Sequence, residues 1–368
     1  MRVYLAVAIV SGAVTYFLTP LVRMLAIRFG AMAAVRDRDV HTMPIPRLGG
    51  LAITGGMLAG TFVARQIPVL GQTFSNSSEP MAALTAALLI TLLGAIDDRW
   101  ELDALTKLAG QIVAAGVMVL MGVQLSYLYL PGHVYVLGRD QAVPLTVLLV
   151  VFLVNAINFI DGLDGLAAGV VAIAAGANFV YSYHLQSSLN EGISAAPASL
   201  LAALVFGACV GFLPHNFSPA RIFMGDSGSM PIGLMLAASI TSITGQVDYG
   251  GLSKFDQAPL LFPVVVPLAV IAVPFVDLVL AVVRRTRARR SPFSPDKLHI
   301  HHRLLEIGHG HRRAVVLMYA WAALLGFGSV IISFSHGGFL AFGGIAVAFI
   351  GIGAVSGLPR IRRLRHRA

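Results

Sequence analysis

The run from Asn155 to Leu166 (NAINFIDGLDGL) places two carboxamides and two carboxylates where one apolar segment hands over to the next. Asn155 and Asn158 are three residues apart and so share a helix face. Asp161 and Asp164 repeat the step, and Gly162 and Gly165 permit a sharp turn between them. A single Asp-Gly would say no more than turn or helix cap. Four polar side chains at this spacing point to a binding site.

Three other clusters have the same character. Asp97 and Asp98 close an apolar run and offer hard oxygens to a cation or a base to a phosphate, with Lys107 a short loop away. Alone, that pair is equally a solvated acidic turn with Lys107 as its counter-ion. Asp226 stands between Gly225 and Gly228, and two serines open the next helix. Such a turn aims backbone N–H groups at an anion or holds a divalent ion. The stretch from Pro295 to Arg313 carries His299, His301 and His302 with Arg303 directly after them. No cysteine assists these histidines, and the acids nearby suit a hard metal better than zinc, so phosphate binding or proton transfer is the preferred role. Arg47, in a segment stiffened by Pro44 and Pro46, suits a phosphate or a lipid headgroup. Asp277 lies within an apolar run, where a structural pairing is the leading reading.

What must position these residues is a membrane domain. The chain of 368 residues is 57% hydrophobic and only 12% charged, with a mean hydropathy of +0.81; about 25% charged is usual for a soluble protein. Its lone cysteine, Cys209, excludes a disulfide framework and a cysteine-based metal site. The first apolar segment is too long for the core of a signal peptide and reads as an uncleaved span. Apolar runs predict one all-α polytopic domain over 1–368, with about eleven transmembrane helices (ten being the alternative). They lie near 3–27, 48–66, 81–96, 106–122, 142–158, 166–184, 198–214, 228–246, 260–283, 314–335 and 338–357.

Placing the N-terminus outside and the C-terminus in the cytoplasm puts all but four of the 26 lysines and arginines on the inner side. The exceptions are Arg2, Arg65, Arg139 and Lys254. The same assignment gathers all four polar clusters and Arg47 on the cytoplasmic face, in loops near 28–47, 97–107, 155–166, 214–229 and 284–313. A face rich in both signs suits a metal together with an anionic substrate.

Taken together and in order, Asp97-Asp98 with Lys107, the Asn155–Leu166 run, Phe223 to Ser229 (FMGDSGS) and the histidine loop resemble the polyprenyl-phosphate N-acetylhexosamine-1-phosphate transferases, the MraY, WecA and TagO type enzymes of glycosyltransferase family 4. The resemblance implies a helical bundle with a cytoplasm-facing cleft in a bacterial cytoplasmic membrane. It implies Mg²⁺, with Mn²⁺ as a substitute, held by Asp226. It further implies that Asp97 and Asp98 position or deprotonate the lipid phosphate, that Lys107 binds phosphate, and that Asn158 and Asp161 complete the cleft. Asp164 and Phe223 match positions that hold and stack the uracil, while His301 and His302 match the family's histidine loop. Arg47, Asn155, His299 and Arg303 join the substrate-binding set.

Enzymes that use the muramyl-pentapeptide nucleotide tend to show three consecutive histidines after a proline. Here His299 is separated from His301 and His302, which looks like the branch that uses UDP-N-acetylglucosamine. The implied reaction transfers N-acetylglucosamine 1-phosphate to a polyprenyl phosphate and releases UMP, as the first membrane step of a cell-envelope polysaccharide or linker. Phospho-N-acetylmuramoyl-pentapeptide transfer, or transfer from another UDP-N-acetylhexosamine, is the nearer rival and a transporter or flippase the distant one. Transporters keep substrate charges near the bilayer midplane, whereas nearly all the acids here lie at inner span ends. A homodimer is left open, and nucleic acid is not among the expected partners.

Overall fold

The computed structural model describes residues 1–33, 44–130, 133–188, 196–244, 310–334 and 343–353, with Thr286 alone between 244 and 310. The histidines at 299, 301 and 302, Arg303, Asp277 and the span expected over 260–283 lie outside the described residues. Eleven helices are described: α1 (Arg2–Arg28), α2 (Gly49–Gln66), α3 (Pro68–Asn76), α4 (Glu79–Trp100), α5 (Ala104–Leu120), α6 (Arg139–Ile160), α7 (Leu166–Ser188), α8 (Ala196–Asn216), α9 (Asp226–Thr244), α10 (His311–Phe334) and α11 (Gly343–Gly353). Among them α1, α4, α6, α7, α8 and α10 are long and apolar enough to cross a membrane.

Three features depart from the hydropathy reading. α4 runs on to Trp100, so Asp97 and Asp98 lie in its last turn and not in a loop beyond it; Glu101, at a φ of +50°, ends the helix. The apolar run near 48–66 is followed by the separate helix α3, which Pro68 starts. Two short antiparallel hairpins join the helices: Met32–Ala33 pairs with Ile45–Pro46, and Tyr127–Leu130 pairs with His133–Val136. An alternating polar and apolar reading does not reveal strands this short.

The bundle is built around α9. Every residue of it from Ser227 to Thr244 is buried, and α2, α4, α6, α7 and α8 all pack against it. Its glycines, alanines, serines and threonines explain how so many neighbours approach it, because small residues let helix backbones come close. The hydroxyls then need partners. Ser239 accepts from the Asn178 amide at 2.7 Å and donates to the Ala198 carbonyl at 2.8 Å.

Antiparallel neighbours sort the helix ends onto two faces. On one face meet the ends of α1, α4, α6 and α8 and the starts of α2, α5, α7, α9 and α10. Arg312 at the start of α10, for example, donates from Nε to the Ser218 carbonyl just beyond α8, at 2.9 Å. On the opposite face the Met1 ammonium meets the Tyr183 hydroxyl at 2.9 Å, and Ser78 before α4 donates to the Met121 carbonyl after α5 at 2.6 Å. There Ser242 near the end of α9 also donates to Glu79. α9 therefore ends on the far face and α10 begins on the first.

Candidate active site

The polar residues singled out above collect on the first face, around the start of α9. Lys107, in the first turn of α5, is positioned by a strong helix start. The Asp103 carboxylate caps α5 by accepting the N–H groups of Leu105 and Thr106, each at 3.0 Å. From there the Lys107 ammonium lies 2.5 Å from Asp226 Oδ2 and 2.8 Å from Asp97 Oδ2, tying α4, α5 and α9 together. Asn158, in the last turn of α6, donates from Nδ2 both to Asp226 Oδ1 and to the Ser229 hydroxyl, at 2.9 Å each. The other oxygen of Asp97 accepts the Leu102 N–H at 2.8 Å. Four helices thus contribute one residue each to a single network: Asp97, Lys107, Asn158 and Asp226.

Asp98 has a different neighbour. Adjacent helix residues point about 100° apart, and while Asp97 turns to Lys107, Asp98 turns into the start of α9. Its Oδ1 accepts the Asp226 N–H at 2.9 Å and its Oδ2 accepts the Ser227 N–H at 3.1 Å. With 5% of its surface exposed, Asp98 is the anion that the N-terminus of α9 binds. The turn before α9 does aim its N–H groups at an anion; that anion belongs to the protein.

Glycines allow the fit. A Cβ on Gly94 of α4 would come within 2.4 Å of the Asp226 carbonyl carbon, and one on Gly50 of α2 within 2.0 Å of Ser227 backbone atoms. Gly225, at a φ of +68°, lies against Asp98 itself. A backbone ladder holds the entrance to α9 from the other side. Gly49 and Gly50 donate to the carbonyls of Phe223 and Met224 at 3.1 and 3.0 Å, and Phe223 donates to the Pro46 carbonyl at 2.8 Å. Arg47 donates in turn to the Ala31 carbonyl at 2.9 Å. The ladder thereby fixes the backbone of Phe223 and Arg47 at the entrance to α9, and both side chains are half-buried.

Asp161 follows α6 and lies in the field of the same charges. Burial, together with the negative charges of Asp226 and Asp98, pushes its carboxyl up to about 7, while Arg47 works in the opposite direction. Asn155, one turn before Asn158, forms a reciprocal amide pair with buried Gln111: Asn155 Nδ2 donates at 2.6 Å, and Gln111 Nε2 donates back at 3.3 Å. Asp164 is 2% exposed and accepts the Ala220 N–H at 3.0 Å, which ties the turn after α6 to the loop after α8. Beside it Asn216 accepts the Gly165 N–H at 3.1 Å and donates to the Ile222 carbonyl at 3.0 Å. Tyr319 of α10 donates to the Gly165 carbonyl.

Among the described residues no group of three or more Asp, Glu, His or Cys side chains surrounds one point. Mg²⁺ needs none, since it keeps several waters and is held by one or two carboxylates plus substrate phosphates. Two carboxylate oxygens, from Asp97 and Asp226, do converge on one cationic centre, here the Lys107 ammonium. The donor set is all hard oxygen, and it fits Mg²⁺.

The model of glycosyl transferase family 4 matches residues 80–244, the segment that contributes Asp97, Asp98, Lys107, Asn158 and Asp226. Across 99% of its length the chain is 48% identical to the decaprenyl-phosphate N-acetylglucosaminephosphotransferase of Mycolicibacterium smegmatis, covering 90% of that protein. It belongs to glycosyl transferase family 4. A probable undecaprenyl-phosphate N-acetylglucosaminyl 1-phosphate transferase of Bacillus subtilis is 34% identical over 87% of this chain and 81% of its own. The phospho-N-acetylmuramoyl-pentapeptide-transferase of Mycobacteroides abscessus is 30% identical over 87% of this chain and 93% of its own. The chain thus lies in the WecA- and TagO-like part of the family.

Within this member of the family, the sequence reading missed several residues that build the site. Ser229 shares Asn158 with Asp226, and Gln111 supports Asn155. Ser229 lies inside the run quoted for Asp226, and Gln111 lies four residues beyond Lys107. Glycines 50 and 94 carry no chemistry of their own, and only packing reveals them. Tyr319, in an otherwise apolar helix, offers no sequence signal beyond its hydroxyl.

Proposed function

We propose that this protein transfers N-acetylglucosamine 1-phosphate from UDP-N-acetylglucosamine to a polyprenyl phosphate, giving the lipid-linked diphosphosugar and UMP. The observation that carries the reading is the 48% identity over almost the whole chain to a decaprenyl-phosphate N-acetylglucosaminephosphotransferase, against 30% for the muramyl-peptide enzyme. The site is compatible with it: hard oxygens, a lysine and an arginine at one end of an apolar bundle suit a reaction between two anions.

The cleft lies on the cytoplasmic face of the bacterial plasma membrane, in an eleven-span bundle with its N-terminus outside. Supporting this are the strong bias of lysine and arginine toward the site's face and the end of α9 on the opposite face from the start of α10, as an eleven-span count requires. The polyprenyl chain lies in the bilayer and presents its phosphate at the cleft.

The lipid phosphate oxygen forms a bond to the β-phosphorus of the nucleotide sugar. The bond from that phosphorus to the oxygen bridging the two phosphates breaks, and UMP leaves with the electron pair. A phosphate monoester has a second pKa of about 6, so little deprotonation remains at neutral pH and the protein's task is alignment and charge neutralisation. Lys107 and Arg47 supply positive charge, and Asn158 fixes the orientation of the Asp226 carboxylate. Asp97 positions Lys107. Asp98 holds the start of α9, a positioning role distinct from that of Asp97. Asp226 would hold Mg²⁺, which would supply neutralisation of the diphosphate charge. Asp164 with Phe223 would frame the uracil, and His299, His301, His302 and Arg303, which lie outside the described residues, would bind phosphate.

The test is purified protein in lipid nanodiscs with Mg²⁺, polyprenyl phosphate and, in turn, UDP-N-acetylglucosamine, UDP-N-acetylgalactosamine and the muramyl-pentapeptide nucleotide, scored for UMP and lipid product. Turnover is expected with UDP-N-acetylglucosamine, lost with EDTA and in Asp226→Asn, and reversed by added UMP. Full turnover without divalent metal, or with the muramyl nucleotide alone, overturns the reading.

A further inference from the structure

The hydrogen-bond accounting at the start of α9 leaves two carboxylate oxygens with one shared partner. Both oxygens of Asp98 are taken by backbone N–H groups, Asp97 Oδ1 by Leu102, and Asp226 Oδ1 by Asn158. Of these three carboxylates, Oδ2 of Asp97 and Oδ2 of Asp226 remain; they lie within reach of each other, and the Lys107 ammonium joins them. We infer that Lys107 is the resident counter-ion of the metal position, and that a divalent cation and the Lys107 ammonium exchange at Asp226. The inference rests on Asp226 as the metal ligand and adds to it a competitor within the protein.

Three physical arguments carry it. The first is geometric. With its nitrogen 2.5 Å from Asp226 Oδ2 and 2.8 Å from Asp97 Oδ2, the ammonium bridges oxygens no more than about 5.3 Å apart. Those carboxylates come from α4 and α9, and without a cation between them they would repel each other. Lys107 therefore keeps the two helix ends in register while no metal is present.

The second is electrostatic. Mg²⁺ binds carboxylate oxygen at about 2.1 Å. Bound to Asp226 Oδ2, it would then lie within about 4.6 Å of the ammonium as now placed. A double and a single positive charge that close, in a half-buried site, repel too strongly to share one carboxylate oxygen at full affinity.

The third is mechanical. Lysine carries a compact charge on a flexible four-carbon stem with three rotatable donors. The Lys107 side chain is 24% exposed, so it has open space to move into. An arriving phosphate offers the displaced ammonium a new partner. Metal and phosphate then assist each other through one side chain: the metal frees Lys107 for the phosphate, and the phosphate draws Lys107 off the metal position.

The experiment is Mn²⁺ binding to the full-length protein in detergent, without nucleotide or lipid, followed by electron paramagnetic resonance. Lys107→Met removes the charge and keeps the length of the side chain. It is expected to bind Mn²⁺ at least tenfold more tightly than wild type, while Lys107→Arg binds no more tightly than wild type. A purely structural lysine would give the opposite change, because its loss would loosen the site. Equal or weaker Mn²⁺ binding in Lys107→Met overturns the exchange.

If Lys107→Met and Lys107→Gln are both unstable, they are purified with Mn²⁺ present throughout. Recovery of folded protein supports the exchange, since the metal then stands in for the ammonium; failure to recover it counts against. Asp226→Asn separates this inference from the reading beneath it. Unchanged Mn²⁺ affinity in that variant removes Asp226 as the ligand. Weakened affinity there, with no tightening in Lys107→Met, removes the exchange alone.

Discussion

Substituting Asp98 by Asn distinguishes a carboxylate that holds a helix from one that handles a proton. The side chain is 5% exposed, and both its oxygens accept backbone N–H groups of α9, at 2.9 and 3.1 Å. An amide keeps one acceptor and turns an NH₂ group toward the other N–H. One hydrogen bond to a charged acceptor is lost, about 1.5–3 kcal/mol. The favourable interaction of a negative charge with a helix N-terminus, about 0.3–2 kcal/mol, is lost as well. Asp98→Asn should therefore destabilise the start of α9 by about 2–5 kcal/mol. Because Asp226 is the first residue of that helix, its carboxylate shifts too, and a misplacement of about 1 Å costs roughly 100-fold in turnover. The assay combines thermal unfolding in detergent, Mn²⁺ affinity and turnover across pH. The expected pattern is a lower melting temperature, weaker Mn²⁺ binding and reduced turnover with the pH profile unmoved. Wild-type stability and Mn²⁺ affinity, together with a shifted acidic limb, would refute the reasoning and make Asp98 a base.

Two further predictions address the surroundings. In Gly94→Ala the new methyl meets the Asp226 carbonyl carbon at 2.4 Å, backbone that cannot swing aside, so overpacking should cost about 1–3 kcal/mol. Melting temperature and turnover should both fall, whereas Gly116→Ala, with nothing within 4 Å of its added methyl, should leave both unchanged. For Asp161 the folded carboxyl titrates at about 7, above its ordinary value of 3.8. The folded state therefore holds the extra proton between those values, and Asp161 opposes stability progressively as pH rises through that window. A nearby divalent cation favours the ionised form, so Mn²⁺ binding should release a proton below about pH 7 and weaken as pH falls. Binding isotherms between pH 6 and 8 check this: Asp161→Asn should flatten the dependence, and an equally steep slope in that variant would assign it to another group.

The clustering of these residues was legible because charge is rare in this chain. In a sequence only 12% charged, two aspartates at the end of an apolar run, a lysine ten residues on and an aspartate between glycines stand out. The structure joins them: Asp97, Lys107 and Asp226 form one network with Asn158. The division of labour within Asp97-Asp98 was not legible. It follows from the helix continuing through both residues, and hydropathy ends that span at the first charge. Asp164 illustrates a related limit. Its spacing marks it as polar and clustered, but its bond to the Ala220 N–H depends on where the loop after α8 folds back, some fifty residues later in the chain. Helices α3 and the two hairpins escaped for the opposite reason, being too short to leave a period.

The ladder that leads into α9 has a consequence for how this region tolerates change. Its rungs join the carbonyls of Ala31, Pro46, Phe223 and Met224 to the N–H groups of Arg47, Phe223, Gly49 and Gly50, and every rung is main chain to main chain. Side-chain replacement leaves such rungs standing wherever space allows. Adding or removing one residue between Ile45 and Gly50, or between Ile222 and Gly225, moves every later rung out of step and carries Asp226 with it. Chain length is thus under tighter constraint here than chain composition, so insertions and deletions should be lethal to activity at positions where many substitutions pass.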